Sequence, residues 1–302
     1  MVSATNRPAF HAGNRTETAG GSEVADITPD MPQRKAARQF LCLLTPGSTP
    51  YPKGWQWPGE EIVMQVVILA GGRGTRAYPY SEYIPKPMMP VGGKPIVARV
   101  MEIFAAQGHN DFVISVGYRK EIIMDYFAIP RANWRVTVVD TGNETDTGGR
   151  IEKCRHLLND TFMATYSDGI CDVDLSELLA FHRARGGLAT VTSVPLVSQY
   201  GTIESDATGC VTAFREKPVL RSFWINAGFF VMEPEIFDHW HGDNLEQEVL
   251  PAIQREGRLF TYQHDGFFKS MDTHKDQIEL ERIFEQGRLP WLTPVVPPVA
   301  AA

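Results

Sequence analysis

QVVILAGGRGTRAYPYSEYIPKPMMPVGGKP, from Gln65 to Pro95, joins an apolar run to a loop crowded with glycine, proline and cations. Residues 65–70 read as a strand buried on both faces, because the apolar positions are continuous rather than alternating. Gly72, Gly74 and Ala77 then match G-x-G-x-x-G/A, the turn that cradles a dinucleotide pyrophosphate. That turn must lead straight into a helix, and Pro79, Pro85, Pro87 and Pro90 forbid one along the loop. A Walker A loop is excluded too, since no Gly-Lys-Ser/Thr closes the segment. What remains is a strand, a glycine turn and a long irregular loop carrying Arg73, Arg76 and Lys86. Glycine lets an anion approach backbone N–H groups, arginine offers a bidentate fork, and lysine a mobile point charge. The segment predicts a phosphate cradle; the plainer alternative is an ordinary glycine-rich surface loop.

Outward from this stretch, strands and helices alternate. A helix is expected over 95–108, opened by Pro95 and closed by Gly108, with further helices at 119–127, 149–158 and 174–185. Strands are expected at 111–117, 135–140 and 161–169. This order implies a mostly parallel sheet covered by helices. From residue 188 the texture changes to strands with short turns (LATVTSVPL, GTIES, CVTAFREKP, WINAGFFVM), then helices near 245–255 and 274–287. The fold class is therefore α/β, a three-layer sandwich with a mixed sheet whose second half builds a wall or lid for a substrate.

The 302 residues are 43% hydrophobic, enough for a sizeable core, and the net charge of −7 argues against a general partner of nucleic acid or anionic membrane. Cys42, Cys154, Cys171 and Cys210 form no C-x-x-C pair and read as reduced thiols of a cytoplasmic protein. No apolar run reaches the roughly 18 residues of a membrane span. Residues 1–63, rich in Gly, Pro, Ser and Thr, are expected to be a disordered extension, with Met64 as an alternative start. Residues 64–292 form the expected folded domain, and 293–302 a flexible tail.

LAGGRGTR (69–76) followed by PKPMMPVGGKPI (85–96) resembles the signature of sugar-1-phosphate nucleotidyltransferases. VDTGNETDTGGR (139–150), YSDG (166–169), EKP (216–218), INAGFFV (225–231), HDGFFKSMDT (264–273) and EQGRLPW (285–291) are most similar to the glucose-1-phosphate cytidylyltransferases within that family. The resemblance covers nearly all of 64–292. It implies a Rossmann-like nucleotidyltransferase sandwich, CTP as nucleotidyl donor, glucose 1-phosphate as acceptor, Mg²⁺ as cofactor, and the possibility of a homo-oligomer.

Such a reaction brings two anions together, so it needs cations and a hard metal more than a protein nucleophile. Asp168 ends a predicted strand, where α/β folds place ligand chemistry. Asp272 precedes a helix and could equally be its N-cap; the resemblance makes it a metal ligand paired with Asp168. Asp172 and Asp174 read as a solvated helix start. By the same resemblance Leu69, Ala70, Gly71, Gly72, Gly74, Thr75, Arg76, Lys86, Thr145, Arg150 and Ser167 contact the nucleotide. Glu216, Lys217, Asn226 and Gly228 hold the sugar phosphate. Arg76, Lys86 and Asp168 are the catalytic set. Lys86 and Lys217 each precede a proline, which predicts extended backbone at both. Backbone carbonyls of Leu69–Gly71, and of the loop after Gly117, are candidate acceptors for a cytosine amino group.

Two departures stand out. Ser167 replaces the glycine usual in the cytidylyltransferases, and the segment before VVDTG is shorter than theirs by roughly twenty residues. Two function classes follow: an active enzyme, or a non-catalytic nucleotide-sugar-binding homologue. Retention of Arg76, Lys86, Asp168, Lys217 and Asp272 favours the enzyme, with a guanylyl- or thymidylyltransferase as the alternative within it.

Overall fold

The computed structural model describes residues 64–75, 80–131, 133–158, 160–287 and 289–292. The expected extension 1–63, the tail 293–302 and Arg76 lie outside the described residues. The chain enters the sheet through β1 (Gln65–Ala70) and makes a small ribbon of β2 (Pro90–Val91) and β3 (Lys94–Pro95). α1 (Ile96–Ala105), β4 (Asp111–Val116), α2 (Lys120–Phe127), β5 (Arg135–Asp140) and α3 (Thr147–Glu152) follow. Then come β6 (Phe162–Tyr166), β7 (Gly169–Cys171), α4 (Leu175–Arg185) and β8 (Ala189–Val197). β9 (Thr202–Ser205), β10 (Val211–Arg215), β11 (Val219–Met232), α5 (Leu250–Arg255), β12 (Leu259–Gln263), β13 (Phe268–Ser270) and α6 (His274–Glu285) complete the domain.

Seven strands form one sheet in the order β12-β8-β11-β6-β1-β4-β5. β1 pairs in parallel with both β4 and β6, and β4 with β5. β11 alone runs against the rest, inserted antiparallel between β6 and β8, while β12 is parallel to β8. The continuous apolar run of β1 is explained by its central place. Val66, Ile68 and Ala70 point into one core with α1 and α4, whereas Val67 and Leu69 point into a second core with Ile151, Leu245 and Ile253. Side chains of a strand alternate between faces, so a strand with a core on each side has no polar position to spare. The three-layer α/β sandwich with a mixed sheet is thus borne out.

Local signals mark the helix ends. Asp174 accepts from the backbone N–H of Ser176 and Glu177 to start α4, which stops at Gly186 with φ 63°. Thr273 and Asp276 form a reciprocal capping box on α6. Two expectations shift. The helix expected over 149–158 begins at Thr147, capped by Asp146, and gives way to a 3₁₀ turn at Arg155–Leu157. The strand expected over 161–169 breaks after Tyr166, because β7 leaves the main sheet to pair antiparallel with β13. That break sets Ser167 and Asp168 at the carboxyl edge of the sheet, beside the end of β1. In doubly wound folds the crevice between strands whose connections run to opposite sides is where ligands bind.

The lone antiparallel strand is held by Phe229, which is buried and stacks on Phe104 of α1 at a centroid distance of 5.5 Å. Phe229→Ala is expected to cost about 3–5 kcal/mol of unfolding free energy. Urea denaturation monitored by circular dichroism tests this, and a loss below about 1 kcal/mol would contradict the role given to this stack.

Candidate active site

A cleft of about 800 Å³ opens at the carboxyl ends of β1 and β6. It is lined by the glycine turn after β1, by Lys86, Ser167 and Asp168, by Thr145 and Arg150, and by Asn226 and Asp272.

Arg150 braces the cleft beside the glycine turn. It is 4% exposed. Its guanidinium donates to Gly71 O at 3.0 Å, Thr141 Oγ1 at 2.8 Å, Gly142 O at 3.1 Å and, more weakly, Val116 O at 3.4 Å. These acceptors belong to the loops leaving β1, β4 and β5. The contact requires glycine at position 71, because a Cβ there would lie 1.9 Å from the Arg150 guanidinium. Lys153 adds bonds to Thr141 O at 2.8 Å and Thr145 Oγ1 at 2.7 Å. The Gly71 carbonyl, expected to be open to a base, accepts from both Arg150 and the Tyr118 N–H. Its two lone pairs are engaged.

Lys86 lies at the centre of the charge. Its ammonium reaches Asp168 Oδ2 at 2.5 Å and Asp272 Oδ1 at 2.9 Å, with only 11% of its side chain exposed. Burial pulls the Lys86 pKa down, but the charges and hydrogen bonds of the two aspartates outweigh it, and the net shift is upward. The aspartates meet because β7 and β13 are in register: Gly169 faces Ser270, and Met271 N–H donates to Asp168 O at 2.9 Å. Asp272 does not cap α6, since Thr273 does; its second oxygen accepts from Ser270 Oγ at 3.1 Å. Two carboxylate oxygens converging on one cation, at the edge of an open cleft, form a donor set that a hard divalent ion takes together with phosphate oxygens.

The chain matches the nucleotidyl transferase family model over residues 65–260. It belongs to that family. Its relatives include the glucose-1-phosphate cytidylyltransferase of Salmonella typhi, 36% identical over 256 residues, covering 76% of this chain and 99% of the relative. A probable glucose-1-phosphate cytidylyltransferase of Bacillus subtilis is 35% identical over 253 residues, with the same coverage. HddC from Yersinia pseudotuberculosis superposes with a TM-score of 0.59 at 25% identity, covering 74% of this chain and all of that one. The resemblance carried by the motifs, to sugar-1-phosphate nucleotidyltransferases and most closely to the cytidylyltransferases, is borne out.

Within this nucleotidyltransferase, the structure brings Leu69, Gly71, Gly72, Gly74, Lys86, Thr145, Arg150, Ser167, Asp168, Asn226 and Asp272 onto one cleft. Ala70 turns its side chain into the core, and Thr75 is exposed beyond the glycine turn. Gly228 stands behind Asn226, its N–H donating to Asn226 Oδ1 at 2.7 Å. Glu216 and Lys217 do not line the cleft; they are exposed between β10 and β11. The proline rule fails at both lysines. Lys217 has φ 45°, and Lys86 opens a 3₁₀ turn, Lys86–Met88, instead of lying extended. The sequence reading missed Tyr166, Thr147 and Glu246, all on the cleft wall. Tyr166 opens the YSDG motif, two residues before Asp168, and was legible from that position; Glu246 carries no local signal.

Arg150→Lys is expected to destabilise the domain by about 1–3 kcal/mol, because an ammonium cannot span acceptors on three loops and leaves buried carbonyls unpaired. Thermal melting checks it; an unchanged melting temperature would mean the loops hold without the guanidinium.

Proposed function

We propose that residues 64–292 transfer a cytidylyl group from CTP to a sugar 1-phosphate, with glucose 1-phosphate the first acceptor to test. The nucleotide sugar and pyrophosphate are the products. The single observation that carries the reading is Lys86 held between Asp168 and Asp272 at the mouth of the β1 glycine turn. The choice of CTP and glucose 1-phosphate is supported by identity to cytidylyltransferases along nearly their whole length.

In this reading a phosphate oxygen of the acceptor attacks the α-phosphorus of the donor in line, and the bond to pyrophosphate breaks. Backbone N–H groups of the turn at 71–74 face the triphosphate, and Lys86 supplies positive charge to it. Asp168 and Asp272 would hold a divalent metal, best matched by Mg²⁺, which would neutralise phosphate charge and polarise the α-phosphate. Asn226 orients the sugar. No side chain is asked to act as a nucleophile, in keeping with Cys171, whose buried thiol is pushed up to about 12. Arg76 remains a proposed participant on its motif position alone. Among the described residues no helix is long and apolar enough to cross a membrane.

Pyrophosphate release should be measured for CTP, UTP, GTP and dTTP against several sugar 1-phosphates. CTP with glucose 1-phosphate is expected to be fastest. A tenfold preference for GTP would move the enzyme to the guanylyltransferases, such as the mannose-1-phosphate guanyltransferase of Neurospora crassa to which it is 33% identical. No pyrophosphate with any pair would overturn the reading.

Lys86→Met removes the ammonium that lies between Asp168 and Asp272. Its melting temperature is expected to fall at low ionic strength and to recover with millimolar Mg²⁺ more than the parent's does. Asp272→Asn in the same background should abolish that recovery. If Mg²⁺ protects the double variant equally, the metal does not bind there.

A further inference from the structure

The lining of the cleft also carries a chain of hydrogen bonds for which the phosphate chemistry has no use. Gly228 N–H donates to Asn226 Oδ1 at 2.7 Å, and Asn226 Nδ2 donates to the Tyr166 hydroxyl at 3.1 Å. The Tyr166 O–H donates to Glu246 Oε1, and Thr147 Oγ1 donates to Glu246 Oε2 at 2.7 Å. The direction of the chain is determined at both ends. A backbone N–H only donates, a carboxylate only accepts, and a phenol has one proton to give. So the Asn226 amide nitrogen must face Tyr166, and the Tyr166 proton must lie toward Glu246.

The four linked residues come from α3, β6, β11 and a π-helical turn at Leu245–Val249 that leads into α5. Tyr166 is pressed so close to β11 that a Cβ at Gly228, where φ is 78°, would lie 2.1 Å from its ring. Thr147 is tied to the π turn twice, since its hydroxyl also accepts from Leu245 N–H at 3.0 Å. π turns are rare and concentrate at functional sites. Burial, then the Glu246 charge, push the Tyr166 pKa far above the ordinary phenol value, so its hydroxyl stays a donor.

Glu246 is the terminus of this chain and faces the cleft. Among the described residues it has no lysine, arginine or histidine partner. Its two hydroxyl donors engage one lone pair on each oxygen and leave one on each for a ligand. A fixed, unpaired carboxylate repels phosphate and accepts from neutral donors. A pyranose ring presents neutral hydroxyl donors in a fixed arrangement, and a nucleotide phosphate tail presents none.

We propose that Glu246 is a specificity-determining residue that accepts hydrogen bonds from hydroxyl groups of the sugar ring, held in place by Thr147 and Tyr166. This rests on the cleft being a sugar 1-phosphate site, and it adds the residue that discriminates between sugars. Tyr166 and Thr147 act through Glu246 as positioning residues.

The test is steady-state kinetics on full-length Glu246→Gln and Tyr166→Phe. The substrates are the fastest donor and sugar pair of the pyrophosphate survey, and analogues of that sugar 1-phosphate each lacking one ring hydroxyl. Glu246→Gln is expected to raise KM for the sugar 1-phosphate by about tenfold or more, the loss of a charge-assisted hydrogen bond. KM for the triphosphate should change by less than about twofold. The parent should reject one deoxy analogue strongly, and the variant should not distinguish it from the full sugar. Tyr166→Phe should raise the same KM by less. A sugar KM and analogue discrimination unchanged in Glu246→Gln would overturn the inference. So would equal rises in both KM values with a fall in melting temperature, which would make Glu246 a brace for the wall. Should Glu246→Gln fail to fold, Glu246→Asp withdraws the carboxylate by one methylene and must show the same loss of discrimination. If the parent releases no pyrophosphate with any pair, the sugar-site reading itself fails, and this inference fails with it.

Discussion

One buried guanidinium ties together the loops that leave the first three parallel strands of this domain. Arg150 donates into the turns after β1, β4 and β5, and without those acceptors its burial would be prohibitive. The helix that carries it is anchored in turn, since Asp146 N–H and Gly149 N–H donate to Asp243 at 2.8 and 2.9 Å. The cleft therefore has a rigid side, set by backbone carbonyls and one cation. Few of its carbonyls remain open to a ligand. A base edge that enters must be read by groups other than Gly71 O.

The opposite requirement governs the centre. Asp168 and Asp272 would repel one another if left alone, and the β7–β13 ribbon forces them together. Lys86 resolves the conflict within the chain, and its raised pKa records how strongly the two carboxylates favour the ammonium over the cost of burial. The Lys86 contribution to stability is fully present below the unfolded lysine pKa and is lost only as pH rises through the still higher folded value. One ammonium here faces two carboxylates. In the proposed function, metal and triphosphate would enter this centre as partners, because two carboxylates favour a divalent cation and oppose a bare polyanion.

Relatives that act on different bases and sugars share this chain's family and fold, which fits a division of labour within the cleft. In the proposed reading the phosphate end rests on the glycine turn and the charges of Lys86, Asp168 and Asp272. The proposed sugar end rests on where β11 and the π turn bring Tyr166, Asn226, Thr147 and Glu246. Changes of specificity are easier to make in the second group, because a side chain there can change without moving the loops that Arg150 holds.

Much was legible before any coordinates. The apolar run of β1 requires burial on both faces, and that by itself demands a layer on each side of the sheet. Pro79, Pro85, Pro87 and Pro90 exclude a helix after the glycine turn through backbone sterics alone, which separates this loop from a dinucleotide fold. Charged residues at short spacing, such as Asp168 in YSDG, could be nominated because their neighbours are known from the chain itself. What only the tertiary structure decided are contacts between distant segments. Arg150 is a brace as well as a wall residue because three loops converge on it. Asp272 turns to Lys86 and Ser270 because Thr273 wins the helix cap. Lys86 and Lys217 escape the extended conformation that proline favours, because a local preference of this size yields to the fold around it. Glu246 matters only because Tyr166 and Thr147 arrive beside it, and a hydrogen bond between residues eighty positions apart leaves no mark on the local sequence of either.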